Sequence, residues 1–251
     1  MALPKVQFKE ISSNLETDMI WGFIFKNKRG WSRWIFKKHP KLKDVLNSKG
    51  ENSQVAFIRN YILTFKKEHK KDLLKSKKKY ELAWKKVKQR YFDLLSKILD
   101  TDWPKDHKNI TVLISINPIC PRFLNDWGFS IFYDYKQISH VLEVIMHETC
   151  HFLYFKKWLE LYPATDKKKF ESPYIEWHLS ELVAPIILND KRVQTLLKQK
   201  AVFYPEYSKI KINGNVASTH FTEIYKNSEG DFKKFLSNSF KSIKIHRHLF
   251  N

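Results

Sequence analysis

Two histidines separated by three residues, His147 and His151, lie in the stretch Val144-Ile145-Met146-His147-Glu148-Thr149-Cys150-His151-Phe152-Leu153. On a helix, residues four apart project from one face about one turn from each other. Both imidazoles can then reach a single tetrahedral Zn²⁺, with about 2.0–2.1 Å from each nitrogen to the metal. Glu148 leaves the helix about 100° further round, so it flanks such an ion instead of binding it. From there it can take a proton from water whose pKa the metal has drawn toward about 7, the general-base half of a hydrolysis.

The setting of these residues carries a second signal. Positions 144–146, 149, 150, 152 and 153 are all uncharged in a chain that is 29% charged, as expected of a helix buried deeply enough to give a metal a dry, shaped cleft. The plain alternative is a buried helix whose histidines are satisfied by backbone or carboxylate partners. The decapeptide resembles the extended HExxH signature of the zincin metallopeptidases. That resemblance implies His147 and His151 as metal ligands, Glu148 as catalytic base and Zn²⁺ as cofactor. It also implies a small antiparallel sheet before the active-site helix, whose edge strand holds an extended peptide substrate. The metzincin branch requires Gly and His three and six residues after the second histidine, where this chain has Tyr154 and Lys157. Gluzincins take a Glu from a later helix, and Glu181 suits that role, being followed by Leu182-Val183-Ala184. A carboxylate among apolar residues is costly unless paired or metal-bound. His178, one turn earlier on the same face, is the rival third ligand, in the manner of SprT-like zincins, and Glu171 and Glu176 are further alternatives. Tyr204, Tyr207, His220 and Arg122 could each donate to a developing oxyanion, and each has an ordinary packing or surface role as well. His140 reads as a surface histidine near the helix start. Glu143, one turn before His147, either orients that imidazole or serves as a solvated or capping residue.

The elements that must position these groups are legible in outline. Residues 1–60 read as short helices, with Trp21, Trp31 and Trp34 set among basic residues. From Ser53 to Asp100 there is no Pro or Gly. Tyr80, Trp84, Val87, Tyr91, Leu94 and Ile98 form one apolar stripe, with Lys78, Lys79, Lys85, Lys86, Lys88 and Arg90 on the other faces. Asp102-Trp103-Pro104 ends that helix. Asn109–Ile116 and Phe129–Tyr135 read as strands, together an irregular antiparallel pair. Ile138 to about Trp158 is a helix apolar nearly all round. Ser172–Asn189 is another, with Pro173 at its first turn and Pro185 bending or interrupting its second half. Asp231–His246 is helical again. The expected fold is α+β: a mostly helical region over residues 1–100 and a zincin-like catalytic region over 101–251.

Composition bounds the rest. With 43% hydrophobic residues and 15% aromatics there is ample material for a core, and six Gly disfavour a glycine-rich Rossmann or propeller architecture. Cys120 and Cys150 are too few for a disulfide framework, and Cys150 reads as a small buried hydrophobe. The start MALPKVQFKEISSN carries no apolar leader, and no apolar run is long enough for a membrane span. The expectation is a cytoplasmic protein with no membrane insertion. The net charge of +20, pI near 9.7, fits a lysine-rich surface, and it also fits attraction to nucleic acid. The expected function is a zinc-dependent peptidase acting on a protein or peptide. The alternatives are a basic helical protein that binds nucleic acid weakly through Lys66–Arg90, and a proteolytically inactive or regulatory zincin module. A further possibility is a latent protease whose N-terminal helices cover the cleft.

Overall fold

A computed structural model of the chain describes residues 3–27 and 29–250. These fall into two compact units. One is made of Pro4–Trp84 and His107–Val141, the other of Lys85–Asp106 and the chain from Leu142 onward. The boundary drawn from sequence at residue 100 thus falls inside a stretch assigned to the second unit.

The first unit begins with β1 (Lys5–Glu10), continues through α1 (Ser13–Trp21), a π-helical turn (Gly22–Lys26), α2 (Ser32–Lys38), a 3₁₀ segment (Pro40–Asn47) and α3 (Glu51–Glu68), and enters α4 (Lys70–Leu99). Strands β2 (Asn109–Ser115), β3 (Arg122–Phe123) and β4 (Gly128–Phe132) follow. The four strands form one mixed sheet in the order β1-β2-β4-β3. β1 pairs with β2 in parallel, Lys5 facing Asn109 through Glu10 facing Ile114. β2 pairs with β4 in parallel as well, from Thr111 with Gly128 to Ser115 with Phe132.

This corrects the expected antiparallel pair. Antiparallel strands need only a tight hairpin, whereas parallel ones need a crossover of about a dozen residues or more, and residues 116–127 supply it. β3 lies in that crossover and alone is antiparallel, pairing Arg122 with Phe129 and Phe123 with Gly128. All five residues of β4 are buried, as in a strand covered on both faces. The edge strand β1 exposes Lys5, Lys9 and Glu10, charges that discourage further strand addition.

A buried ion pair ties the first unit together. Glu16 on α1 is fully buried. Its Oε1 accepts hydrogen bonds from Ser115 Oγ at 2.6 Å and from the Ile116 N–H at 2.7 Å, and its Oε2 lies 2.9 Å from Lys66 Nζ. Lys66 also donates to the Ile11 carbonyl at 2.6 Å. One carboxylate thereby joins α1 and α3 to the end of the central strand. Beside it, His39 Nε2–H donates to the Ile116 carbonyl at 2.7 Å, and its Nδ1 lies 3.0 Å from Tyr61 Oη. Burial lowers the His39 pKa.

The long helical stretch read from Ser53 to Asp100 is two helices, interrupted at His69. No Gly or Pro marks the break. There the His69 ring stacks on Phe65 at 4.2 Å, and its Nδ1 lies 3.3 Å from the Asp72 carboxylate. Of the expected stripe, Tyr80, Trp84, Tyr91 and Ile98 are buried, while Val87 and Leu94 are half-buried and Phe92 and Leu95 take their places in the core. α4 stops at Leu99, before Asp102-Trp103-Pro104, with Asp100 in the left-handed region at φ 49°.

The second unit contains the end of α4, most of α5 (Ile138–Leu161), then α6 (Ile175–Leu188), α7 (Lys191–Leu197), a two-residue hairpin of β5 (Lys211–Ile212) and β6 (Asn215–Val216), α8 (Ala217–Asn227) and α9 (Phe232–Ile245). α6 is its central element, with every residue from Glu176 to Leu188 buried, as expected of a helix apolar on all sides. Pro185 does not end it: the helix runs on to Leu188, and the Asn189 N–H closes the last turn on the Pro185 carbonyl at 2.9 Å. Around α5 an aromatic cluster forms, with Phe155 stacked on Phe170 at 4.2 Å and Trp158 edge-on to Phe240 at 4.6 Å.

Asp190 starts α7, accepting from the Arg192 N–H and Nε, both at 2.9 Å, and from Tyr225 Oη at 2.8 Å. Burial works against its charged form, but these hydrogen bonds outweigh burial and hold the carboxyl down at about 2, from an ordinary 3.8. Its stabilisation is therefore complete above pH 3.8 and fades as the pH falls through about 2. Asp190→Ala is expected to cost about 1–2 kcal/mol at neutral pH by urea denaturation, through loss of the cap and the tyrosine bond. Its deficit against the parent should shrink toward pH 2.

Candidate metal centre

α5 is buried around the paired histidines, as the uncharged decapeptide implied. Ile145, Met146, Thr149, Cys150, Phe152 and Leu153 are all buried, and Val144 is half-buried. α6 brings Glu181 to the same point. The ligand atoms of His147, His151 and Glu181 all lie within 4.8 Å of one another, and these three could hold a metal ion. His147 Nε2 lies 3.1 Å from Glu181 Oε2, and His151 Nε2 lies 3.5 Å from Oε1. Ligands about 2.0–2.1 Å from a tetrahedral cation stand roughly 3.3 Å apart, so these separations already match two edges of such a polyhedron. The two imidazoles meet at 72° with ring centres 4.7 Å apart. His151 is braced from behind by Phe155, nearly parallel to it at 5.9 Å.

Burial is graded across the group. The side chains of His151 and Glu181 are 1% and 3% exposed, that of His147 16%. The one solvent-facing ligand leaves an accessible side, which suits a centre with three protein ligands and a fourth position for water or substrate. Glu148 is not one of the converging ligands. It is 7% exposed and occupies the next position round the helix.

The other candidates are placed elsewhere. His178 is buried, but its Nδ1 lies 3.1 Å from Tyr207 Oη and its ring packs against Phe250 at 5.5 Å. This also engages Tyr207. Glu176 is buried with its carboxylate 3.7 Å from Lys169 Nζ, and Glu171 is exposed before α6 begins. His220 pairs through Nε2 with Ser242 Oγ at 2.8 Å, Tyr204 is 39% exposed, and Arg122 lies on β3 in the first unit. His140 packs edge-on against Tyr135 at 4.5 Å.

Glu143, read from sequence as orienting His147 or as a solvated or capping residue, is buried and belongs to a brace between the two helices that carry this group; its partners and the other braces were missed. Glu143 accepts from Gln199 Nε2 at 2.6 Å and from the Val202 N–H at 2.9 Å. Asn189, at the end of α6, exchanges hydrogen bonds of 2.9 and 3.0 Å with the Ala201 backbone. Residues 199–202 thus clamp α5 and α6 together at one end. Tyr91 Oη donates to the carbonyl of Met146, the residue before His147, at 2.6 Å, and burial drives the Tyr91 pKa well above its ordinary value. The only sequence signal for these contacts was a polar atom on an otherwise apolar face, visible for Tyr91 alone. Tyr91→Phe is expected to lower stability by about 1 kcal/mol, as read by urea denaturation against the parent chain.

No protein-family model, curated protein or solved structure matches this chain.

Proposed function

We propose that the protein is a zinc-dependent peptidase in which His147, His151 and Glu181 hold the metal and Glu148 is the general base. The observation that carries this reading is the convergence of two imidazole nitrogens on one buried carboxylate, with all ligand atoms inside 4.8 Å. A proton shared between one histidine and Glu181 would account for a single short contact. Two Nε2 atoms facing the two oxygens of the same carboxylate are better satisfied by a cation among them, and a nitrogen-and-carboxylate donor set suits Zn²⁺. Zinc in such a site supplies Lewis acidity, acidifying water and polarising a scissile carbonyl. Glu148 then accepts the proton released as water attacks and returns it to the departing amine nitrogen. The zincin resemblance of residues 144–153 supports the same assignment.

The nucleic-acid alternative draws less support from Lys66–Arg90. Tyr80 and Trp84 are buried in the core and cannot stack on bases, and Lys66 is engaged by Glu16.

Elemental analysis of the purified chain tests the proposal. One zinc per chain is expected, and His151→Ala should lose it. A wild-type protein that carries no metal and takes up none on loading with Zn²⁺ would overturn the reading.

A further inference from the structure

A second surface, in the first unit and remote in sequence from the metal-binding group, carries an unusual pairing of charge and aromatic exposure. Residues 21–49 contain nine lysines and arginines against the single carboxylate of Asp44. The same stretch holds six aromatic residues, none of them buried: Trp34 is 48% exposed, and Trp21, Phe23, Phe25, Trp31 and Phe36 are half-buried. This contrasts with α4, where Tyr80, Trp84 and Tyr91 are all in the core. The 3₁₀ segment that follows leaves Leu46 52% exposed.

The geometry of α2 shows that this exposure is not a by-product of packing. Ile35 and His39, four residues apart, supply its buried side. Trp34 is turned away from them, among the exposed Arg33, Lys37 and Lys38, where it adds nothing to the core and costs apolar exposure. Phe23 and Trp31 pack at 5.5 Å, which joins the π-helical turn to the start of α2, and Trp31 and Trp34 are one turn apart on it. The cations hold to the rings: Lys26 Nζ lies 4.4 Å over Trp21, the Arg33 guanidinium 5.4 Å and Lys37 Nζ 5.6 Å over Trp34.

We propose that residues 21–49 form a peripheral docking surface for anionic phospholipid membranes. The excess of positive charge complements a negatively charged lipid surface, each Lys or Arg near it contributing to adsorption. Tryptophans beside basic residues match the headgroup boundary, where the ring meets the acyl region and the cation stays with the phosphates. A single-stranded nucleic acid fits less well. Stacking on bases uses the ring faces, and those of Trp21 and Trp34 already carry the protein's own cations, whereas insertion at a lipid boundary leaves them in place. No helix among the described residues is long and apolar enough to cross a membrane, so the association is one of adsorption and not of spanning.

Sedimentation of the 251-residue chain with vesicles tests this, using phosphatidylserine mixed with phosphatidylcholine, phosphatidylcholine alone, and an oligo-dT strand as competitor. Binding is expected to the phosphatidylserine vesicles at about 0.05 M salt and to fall steeply by about 0.5 M. The double change Arg33→Gln and Lys37→Gln should weaken it about thirtyfold, and Trp34→Ala roughly tenfold. All three side chains are exposed, and unchanged circular dichroism would show the fold intact. Absence of vesicle binding overturns the proposal, as does equal binding to phosphatidylcholine or binding that these substitutions leave unaltered. Capture of oligo-dT without vesicle binding overturns it in favour of nucleic acid.

Discussion

Under the proposed peptidase reading, Glu148→Gln is expected to retain zinc and to lose peptide hydrolysis by about 10²–10⁴-fold, the usual worth of a positioned general base. The amide has nearly the shape of the carboxylate, so the buried surroundings of residue 148 tolerate it. It cannot accept a proton, however, and the attacking water would have to lose its proton to bulk solvent. Glu148 lies outside the group whose ligand atoms converge, so metal content should stay at the wild-type level. The two readouts separate base from ligand: kcat on a cleaved peptide falls, and zinc by elemental analysis does not. Loss of zinc together with activity would place Glu148 in the metal shell. Retention of full activity would remove it from the chemistry.

The largest stability effect is expected in the first unit, at Glu16. Glu16→Ala leaves Lys66, whose side chain is 11% exposed, without its 2.9 Å partner, and strips the Ser115 hydroxyl and the Ile116 N–H of their acceptor. Removing one member of a buried ion pair costs about 3–5 kcal/mol, because the surviving charge stays desolvated. Urea denaturation at neutral pH should show that loss. The double change Glu16→Leu and Lys66→Met should recover much of it, since two apolar side chains of similar volume leave no charge behind. A loss below about 1 kcal/mol for Glu16→Ala would mean that Lys66 finds water, and that the pair is not the tie it resembles.

Helices α5, α6 and α9 were legible in outline because their signals are local. The uncharged run around His147 and His151 gave both the burial of α5 and two members of the group that could hold a metal ion. Glu181 was singled out as a carboxylate in an apolar helix, and the structure sets that carboxylate between the two imidazoles. The sheet was read less well because strand direction is a non-local property. Residues 109–135 show two strands but not which way they face. Ser130 interrupts the apolar run of β4, so its sequence gave no sign of the burial on both faces that goes with parallel neighbours. β1 was lost for a different reason: Lys5, Lys9 and Glu10 give an edge strand the polarity of a loop. The Glu143 half of the clamp on residues 199–202 joins positions 56 and 59 residues apart, and no spacing rule encodes that.

The division of the chain also bears on the order in which the protein can be made. Neither compact unit is a continuous piece of polypeptide: the chain passes from one to the other after Trp84, returns at His107 and leaves again after Val141. During synthesis from the N-terminus, the first unit lacks its sheet until residues 107–141 have left the ribosome. Residues 85–106, including the Tyr91 that will brace α5, wait longer for the rest of their own unit. A truncation that discards residues 1–100 would leave neither compact unit whole. It would remove β1, Glu16, Lys66 and Tyr91 together, and so take a strand and a tie from one unit and a brace from the other.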